Sequence, residues 1–341
     1  MNAARAGVVA LGTVSRDGVI ESTHFGRVAI CQADGRLIAS AGNPEGEQFW
    51  RSSSKPLQAL GILITGAAER FDLTQKELAV CCASHSGSAD HVETVSGILS
   101  KLDLDESDLN CGAHWPGDVD ERNRLIRDGQ QPSQLHNNCS GKHAGMLATA
   151  RAMDAPTEGY LDFDHPVQRM IAVNLSLMSN LVEEQFRVGR DGCGAPTVTM
   201  PLSAMARAFA RLASPDELAD HLPRAARRIC DAMAAEPVMV SARGSFNTEL
   251  LRLGGGRIVA KGGAEGLFCM ACRERGVGIA IKTSDGSSRP HAPAIISLMR
   301  KTKIEVPQAL AERFERVPVT NCHSDVVGHV EAAEIELEMW A

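Results

Sequence analysis

Strand-forming segments occupy both ends of this chain and a helical stretch lies between them, and that order limits the fold more than any other feature of the sequence. Near the N-terminus, residues 27–31 and 36–40 are short apolar runs on either side of Asp34-Gly35, a dipeptide suited to a tight hairpin because glycine tolerates positive φ. Residues 257–260 and 277–283 are rich in β-branched side chains and flanked by glycines, and residues 327–338 alternate well enough for a last strand. Residues 144–235 are helical in character: Asp164-His165-Pro166 opens one apolar run, and Ser214-Pro215-Asp216-Glu217 opens another with an N-cap, an N1 proline and a capping-box glutamate. Strands, helices and strands again predict α+β layers, a central antiparallel sheet shared by the terminal strands with a helical region beside it. At 341 residues and 44% hydrophobic content the chain can bury a large core, and with no repeat or linker a single domain over residues 1–341 is expected.

The charge balance narrows the possible partners. A formal net charge of −7 and only 4% aromatic residues lack the basic and stacking signals of a nucleic-acid binder. Met1-Asn2-Ala3-Ala4-Arg5 leads into an apolar run over residues 7–14 that Arg16 and Asp17 close before it reaches signal-peptide or membrane length. Neither a membrane nor a secretory route is expected. The ten cysteines follow no disulfide spacing, and Cys81 and Cys82 are adjacent and awkward to bridge to each other. That usage fits a reducing compartment and a cytoplasmic protein.

Three separate segments carry residues suited to acyl transfer. Arg51-Ser52-Ser53-Ser54-Lys55-Pro56 precedes an apolar, helix-like run over residues 57–64 that Gly66 ends, with Pro56 in the first turn. In its Ser-x-x-Lys, Lys55 sits three residues from Ser52, on the same helical face. A serine hydroxyl attacks only once a base takes its proton, and lysine serves as that base only where burial or a second cation keeps it neutral. Taken alone, the pattern more often marks a capped helix with a surface lysine. Ser84-His85-Ser86-Gly87 follows, and then Lys261-Gly262-Gly263 directly after the strand over 257–260. Serine β-lactamases and penicillin-binding proteins use a similar order, and the glycines would let a substrate reach backbone N–H groups that stabilise an oxyanion.

A further cluster comprises Asn138-Cys139-Ser140-Gly141-Lys142-His143 and Asp191-Gly192-Cys193-Gly194. Cys139 and Cys193 sit in polar, glycine-rich turns and not in apolar runs, which suggests metal or reactivity, with simple packing of two thiols as the equal alternative. His85 and His143 invite a Ser-His-Asp triad, but each lies among other motif residues where a supporting hydrogen bond serves as well, so lysine ranks above histidine as the base. Arg51, Arg289 and Asp285 are candidate partners for a zwitterionic substrate, or else ordinary ion pairs.

Together with Gly18-Val19-Ile20-Glu21-Ser22-x-His24 and Ala260-Lys261-Gly262-Gly263-Ala264-Glu265-Gly266, these motifs resemble, in order and from residue 18 to about 289, the rhizobial-type (class 3) L-asparaginases. The resemblance implies a fold like serine β-lactamases and glutaminases, a homodimer, and hydrolysis of L-asparagine. It implies Ser52 as nucleophile with Lys55, Ser84 with Lys261 as a second couple, and one zinc on Cys139, Lys142 and Cys193 near Asp191. Arg51, His85, Asp191, Gly262 and Gly263 would then line the substrate. Two other readings share some of these features: a serine hydrolase directed at β-lactams or peptidoglycan, and a non-catalytic zinc-stabilised binding protein.

Overall fold

The computed structural model of the chain describes residues 7–219 and 221–340; the opening Met1 to Arg5 lies outside them. The contacts gather into two compact units, Met1–Ser53 with Met200–Ser214 and Leu253–Ala341, and Ser54–Thr199 with Pro215–Arg252.

The first unit is built on an antiparallel sheet. Its strands run in the order Arg316–Thr320, Val326–Ala332, Val9–Arg16, Val19–Gln32, Val277–Thr283, Leu267–Cys272 and Ile258–Gly262. The terminal strands do share one sheet, with Val14 opposite Val330. The strand Val19–Gln32 is long enough to serve two partners along one edge, Val9–Arg16 first and then Leu37–Ala41. The hairpin at Asp34-Gly35 forms as its chemistry dictates, with Gly35 at φ 100° and its N–H donating to Gln32 O. The helix Leu202–Ala213 packs on this sheet so closely that a β-carbon on Gly278 would stand 2.1 Å from Ala206 O. The helix His291–Lys301 packs on the strands Val9–Arg16 and Val326–Ala332.

Three expected boundaries move. The last strand ends at Ala332, and the chain pairs again only at Glu338–Met339, against Leu37–Ala41. The strand expected over 257–260 extends to Gly262, so Lys261 lies within it. Ser214 does not cap a helix over Pro215-Asp216-Glu217: it ends the preceding one, and its hydroxyl donates to Arg273 O at 2.9 Å. With that cap engaged elsewhere, the next helix starts at Leu222 with Pro223 in its first turn.

The second unit is mainly helical. Thr74 forms the capping box of Gln75–Cys81 with Glu77, and His165 caps Pro166–Ser179 by accepting from Val167 N–H. The helix Ser140–Ala152 is buried over most of its length, and lies against Gln75–Cys81 through two glycines. A β-carbon on Gly141 would stand 2.2 Å from Val80 O, and one on Gly145 3.0 Å from Cys81 Sγ. No helix among the described residues is long and apolar enough to cross a membrane. All ten cysteines are free, Cys81 and Cys82 included, and only Cys322 is exposed.

Candidate active site

Within the first unit, the serine-rich turn is anchored from both sides. Trp50 is fully buried, donates from Nε1 to Met200 Sδ and stacks on Phe209. Arg51 then adopts φ 46°, a left-handed conformation that costs a non-glycine residue about 1–3 kcal/mol and is tolerated mostly where function demands it. It leads into the tight helical turn Arg51–Ser54, on which Ser52 is half-buried. Ser53, fully buried, donates from Oγ to Lys261 O at 3.0 Å. That bond ties the turn to the strand bearing Lys261, and Gly263 permits it: a β-carbon there would stand 2.7 Å from Ser53 Oγ. Ser53 is a residue that sequence reasoning missed, and the nearest signal for it is the glycine it requires.

Lys261 is buried, and its Nζ donates to Gly262 O at 2.7 Å. Gly263 N–H donates to Leu267 O at 2.8 Å inside the hairpin, so it is not free to stabilise an oxyanion as its sequence context suggested.

Within the second unit, Lys55 is 1% exposed, and its Nζ makes three hydrogen bonds: to Ala83 O at 2.5 Å, to Ser84 Oγ at 3.0 Å and to Asn138 O at 3.3 Å. The sequence pairs Lys55 with Ser52 and Ser84 with Lys261; the structure joins Lys55 to Ser84. Neither carbonyl was predictable, because backbone acceptors leave no trace in residue identity. The loop carrying Ser84 is held by Ser84 N–H to Val240 O and His85 N–H to Asn138 O.

His85 is hydrogen-bonded at both ring nitrogens. Its Nδ1 accepts from Gly87 N–H at 3.1 Å, which leaves the proton on Nε2 to donate to Ser140 Oγ at 2.9 Å. Burial holds its pKa well below the usual histidine range, helped by His91 stacked on it. His143 is likewise buried and kept neutral by burial, with Tyr160 donating to its Nδ1 at 2.7 Å. In the first unit His291 is pushed down to about 4 by burial. An unfolded histidine takes its proton near pH 6.5, whereas His291 refuses it until about pH 4, so stability is lost as pH falls through that window. The loss from His291 alone is on the order of 3 kcal/mol, and His85 adds in the same direction. Urea midpoints should therefore fall between pH 7 and pH 4.5, less steeply in His291→Asn; a midpoint flat across that range would refute this.

Cys139, Lys142 and Cys193 converge, all buried. Cys193 sits in the turn between Val188–Arg190 and Pro196–Pro201, closed by Asp191 N–H to Ala195 O. Lys142 Nζ lies 3.1 Å from Cys193 Sγ. A hydrogen bond from the Cys193 thiol holds the Cys139 pKa well below the usual thiol range against burial, with Lys55 and Lys142 adding. Burial opposes the Lys142 ammonium, but the two sulfurs outweigh it and raise its pKa. No group of three His, Cys, Asp or Glu suited to a metal occurs among the described residues; here the third donor is a lysine. Two sulfurs and an amine in mutual reach and buried fit a zinc ion once they release their protons. Asp191 stands at the edge of this turn, its Oδ1 accepting from Gly192 N–H at 2.7 Å.

The chain belongs to the L-asparaginase II family, whose family model matches residues 13–332. No curated protein matches it. Among solved structures it is similar to Mglu in its glutamate form, with 17% identity and TM-score 0.46, over 83% of this chain and 62% of that one. It is also similar to a β-lactamase-like protein from Bacteroides dorei DSM 17855, with 13% identity and TM-score 0.43, over 81% of this chain and 92% of that one. A β-lactamase from Mycobacterium bovis matches with 11% identity and TM-score 0.35, over 81% and 94%. The chain thus spans about three fifths of Mglu.

Proposed function

We propose that this protein is a cytoplasmic, homodimeric L-asparaginase that hydrolyses L-asparagine to L-aspartate and ammonia through an acylated serine, with lysine as the base. The observation that carries the proposal is the environment of Lys55. A neutral lysine amine has two N–H bonds and one lone pair. Ala83 O and Asn138 O are placed to accept two N–H bonds and Ser84 Oγ lies 3.0 Å away in the third direction, so a neutral Lys55 would turn its lone pair towards a serine hydroxyl. Of the histidines nearby, His85 is bonded at both ring nitrogens and His143 at Nδ1.

In this reading Ser52 attacks the side-chain amide carbon as Lys55 takes its proton, and the same proton returns to the departing nitrogen to release ammonia. Water, deprotonated in turn, cleaves the aspartyl ester and restores Ser52. Lys261 and Ser84 form the second couple, and Arg51, His85, Asp191, Gly262 and Gly263 border the substrate. One observation favours a second reading in which Ser84 is acylated, since its hydroxyl is the one hydrogen-bonded to Lys55.

Acid-quenching the protein during asparagine turnover and locating the aspartyl ester by peptide mass spectrometry separates these readings. An ester on Ser52 supports the first, one on Ser84 the second, and none on either refutes a serine mechanism. Ammonia release from asparagine and glutamine, run beside ring opening of a chromogenic β-lactam, tests the substrate class.

Cys139, Lys142 and Cys193 would hold one zinc, which when bound supplies a positive charge that positions substrate. The serine and lysine steps need no metal-activated water. Removing the metal, verified by elemental analysis, should therefore raise KM more than it lowers kcat. Complete loss of turnover at saturating asparagine in folded, metal-free protein would require a metallohydrolase instead.

A further inference from the structure

The segment 111–118 supplies none of the reacting groups, yet within the second unit it touches both stretches of backbone that surround Lys55. On one side Asp118 N–H donates to Ser86 O at 2.9 Å, and Pro116 packs over Gly87, where a β-carbon would stand 3.1 Å from Pro116 Cβ. Ser86 and Gly87 lie in the loop that carries Ser84. On the other side Asn137 Nδ2 donates to Cys111 O at 2.9 Å and to Gly112 O at 3.0 Å, and Asn138 N–H donates to His114 Nε2 at 3.0 Å. The ring of His114 is prepared for that bond. Its Nδ1 lies 2.8 Å from Trp115 O, a carbonyl that can only accept, so Nδ1 carries the proton and Nε2 keeps its lone pair.

Asn138 joins two peptide planes, and each is held at both ends. In the plane before it, Asn137 O accepts from Ser140 N–H at 2.9 Å and Asn138 N–H meets His114. In the plane after it, Cys139 N–H donates to Asn137 Oδ1 at 2.8 Å, and Asn138 O accepts from His85 N–H and from Lys55 Nζ, each at 3.3 Å. The direction in which Asn138 O points is therefore set by these anchors together. His114 differs from the other anchors in being exposed. A substitution at such a position seldom changes stability by more than about 0.5 kcal/mol, so stability explains a ring locked at both nitrogens poorly. Water can satisfy the Asn138 N–H when the ring is removed, but water does not hold it in one direction. What the ring adds is orientation of a carbonyl that Lys55 Nζ bonds.

We propose that His114 is a positioning residue for the base: by holding Asn138 N–H it aims Asn138 O at Lys55 Nζ, and so turns the lone pair of the amine towards a serine hydroxyl. The proposal rests on the reading of Lys55 as the base of an asparaginase. His114→Leu should lower kcat for ammonia release from L-asparagine by about 10-fold, with KM changed by less than about twofold. The urea midpoint should stay at the wild-type value. His114→Gln, whose Oε1 can accept the same N–H, should recover most of kcat. A wild-type kcat in His114→Leu, an equal loss in His114→Gln, or a loss that tracks a fallen urea midpoint overturns the proposal. A small alkyl fluorophosphonate tests the base without an amide substrate: the serine Oγ–P bond forms as P–F breaks, the proton passes to Lys55, and fluoride leaves. Its labelling rate, followed by intact mass, should fall in His114→Leu by the same factor as kcat. Wild-type protein that takes the probe but releases no ammonia refutes the asparaginase reading, while the ratio of labelling rates still decides the role of His114. Wild-type protein that reacts with neither overturns both.

Discussion

Lys55→Met lowers ammonia release from L-asparagine by about 10²- to 10⁴-fold, the contribution expected of a positioned general base. Methionine fills most of the same buried volume, so the protein should remain folded, though Ala83 O loses its 2.5 Å donor at about 1–3 kcal/mol. Lys55→Arg is the sharper variant. Arginine supplies N–H donors but does not deprotonate in proteins and so cannot take a proton, which a structural lysine would tolerate and a basic one would not. Steady-state ammonia assays on both, alongside circular dichroism, decide the matter: substantial activity in Lys55→Arg would remove Lys55 from the role of base.

The second large effect is expected from Gly141→Ala. Alanine favours a helix by about 1 kcal/mol over glycine, so on propensity alone the change should stabilise. Its β-carbon, however, would stand 2.2 Å from Val80 O and 2.8 Å from Val80 C, backbone atoms that can yield only if the helices Ser140–Ala152 and Gln75–Cys81 separate. Overpacking of that kind costs about 1–3 kcal/mol or more, so a net loss of about 2 kcal/mol should appear in the urea midpoint. Activity should fall further than stability alone explains. Ala83 O lies just past the end of one of these helices and Asn138 O just before the start of the other, and Lys55 bonds both. A folded Gly141→Ala protein with wild-type midpoint and wild-type kcat would show that this close approach does not set the site.

The candidate residues of the site were legible from sequence because they occur together in short motifs. Cys139, Lys142 and Cys193 were named from the resemblance, and the structure draws them together and buries them. Asp34-Gly35 announced its hairpin because the turn needs positive φ within one dipeptide. Ser214 misled for a related reason: a serine before Pro-Asp-Glu satisfies the local rule for a helix start, but a distant acceptor, Arg273 O, took its hydroxyl.

What the sequence determined by itself was therefore whatever is encoded over a few residues: strand-like segments at the two ends, helices between, the turn chemistry, and the candidate site residues. The tertiary structure alone decided which of them meet. Lys55 and Ser84 stand 29 residues apart and meet only in the folded chain, beside two helices that Gly141 and Gly145 let approach one another. The availability of Gly263 N–H was settled by a hairpin bond to Leu267. Such contacts follow from how far apart two elements pack, a distance fixed by the absence of side chains on Gly141, Gly145 and Gly263, and no local pattern of residue types records it.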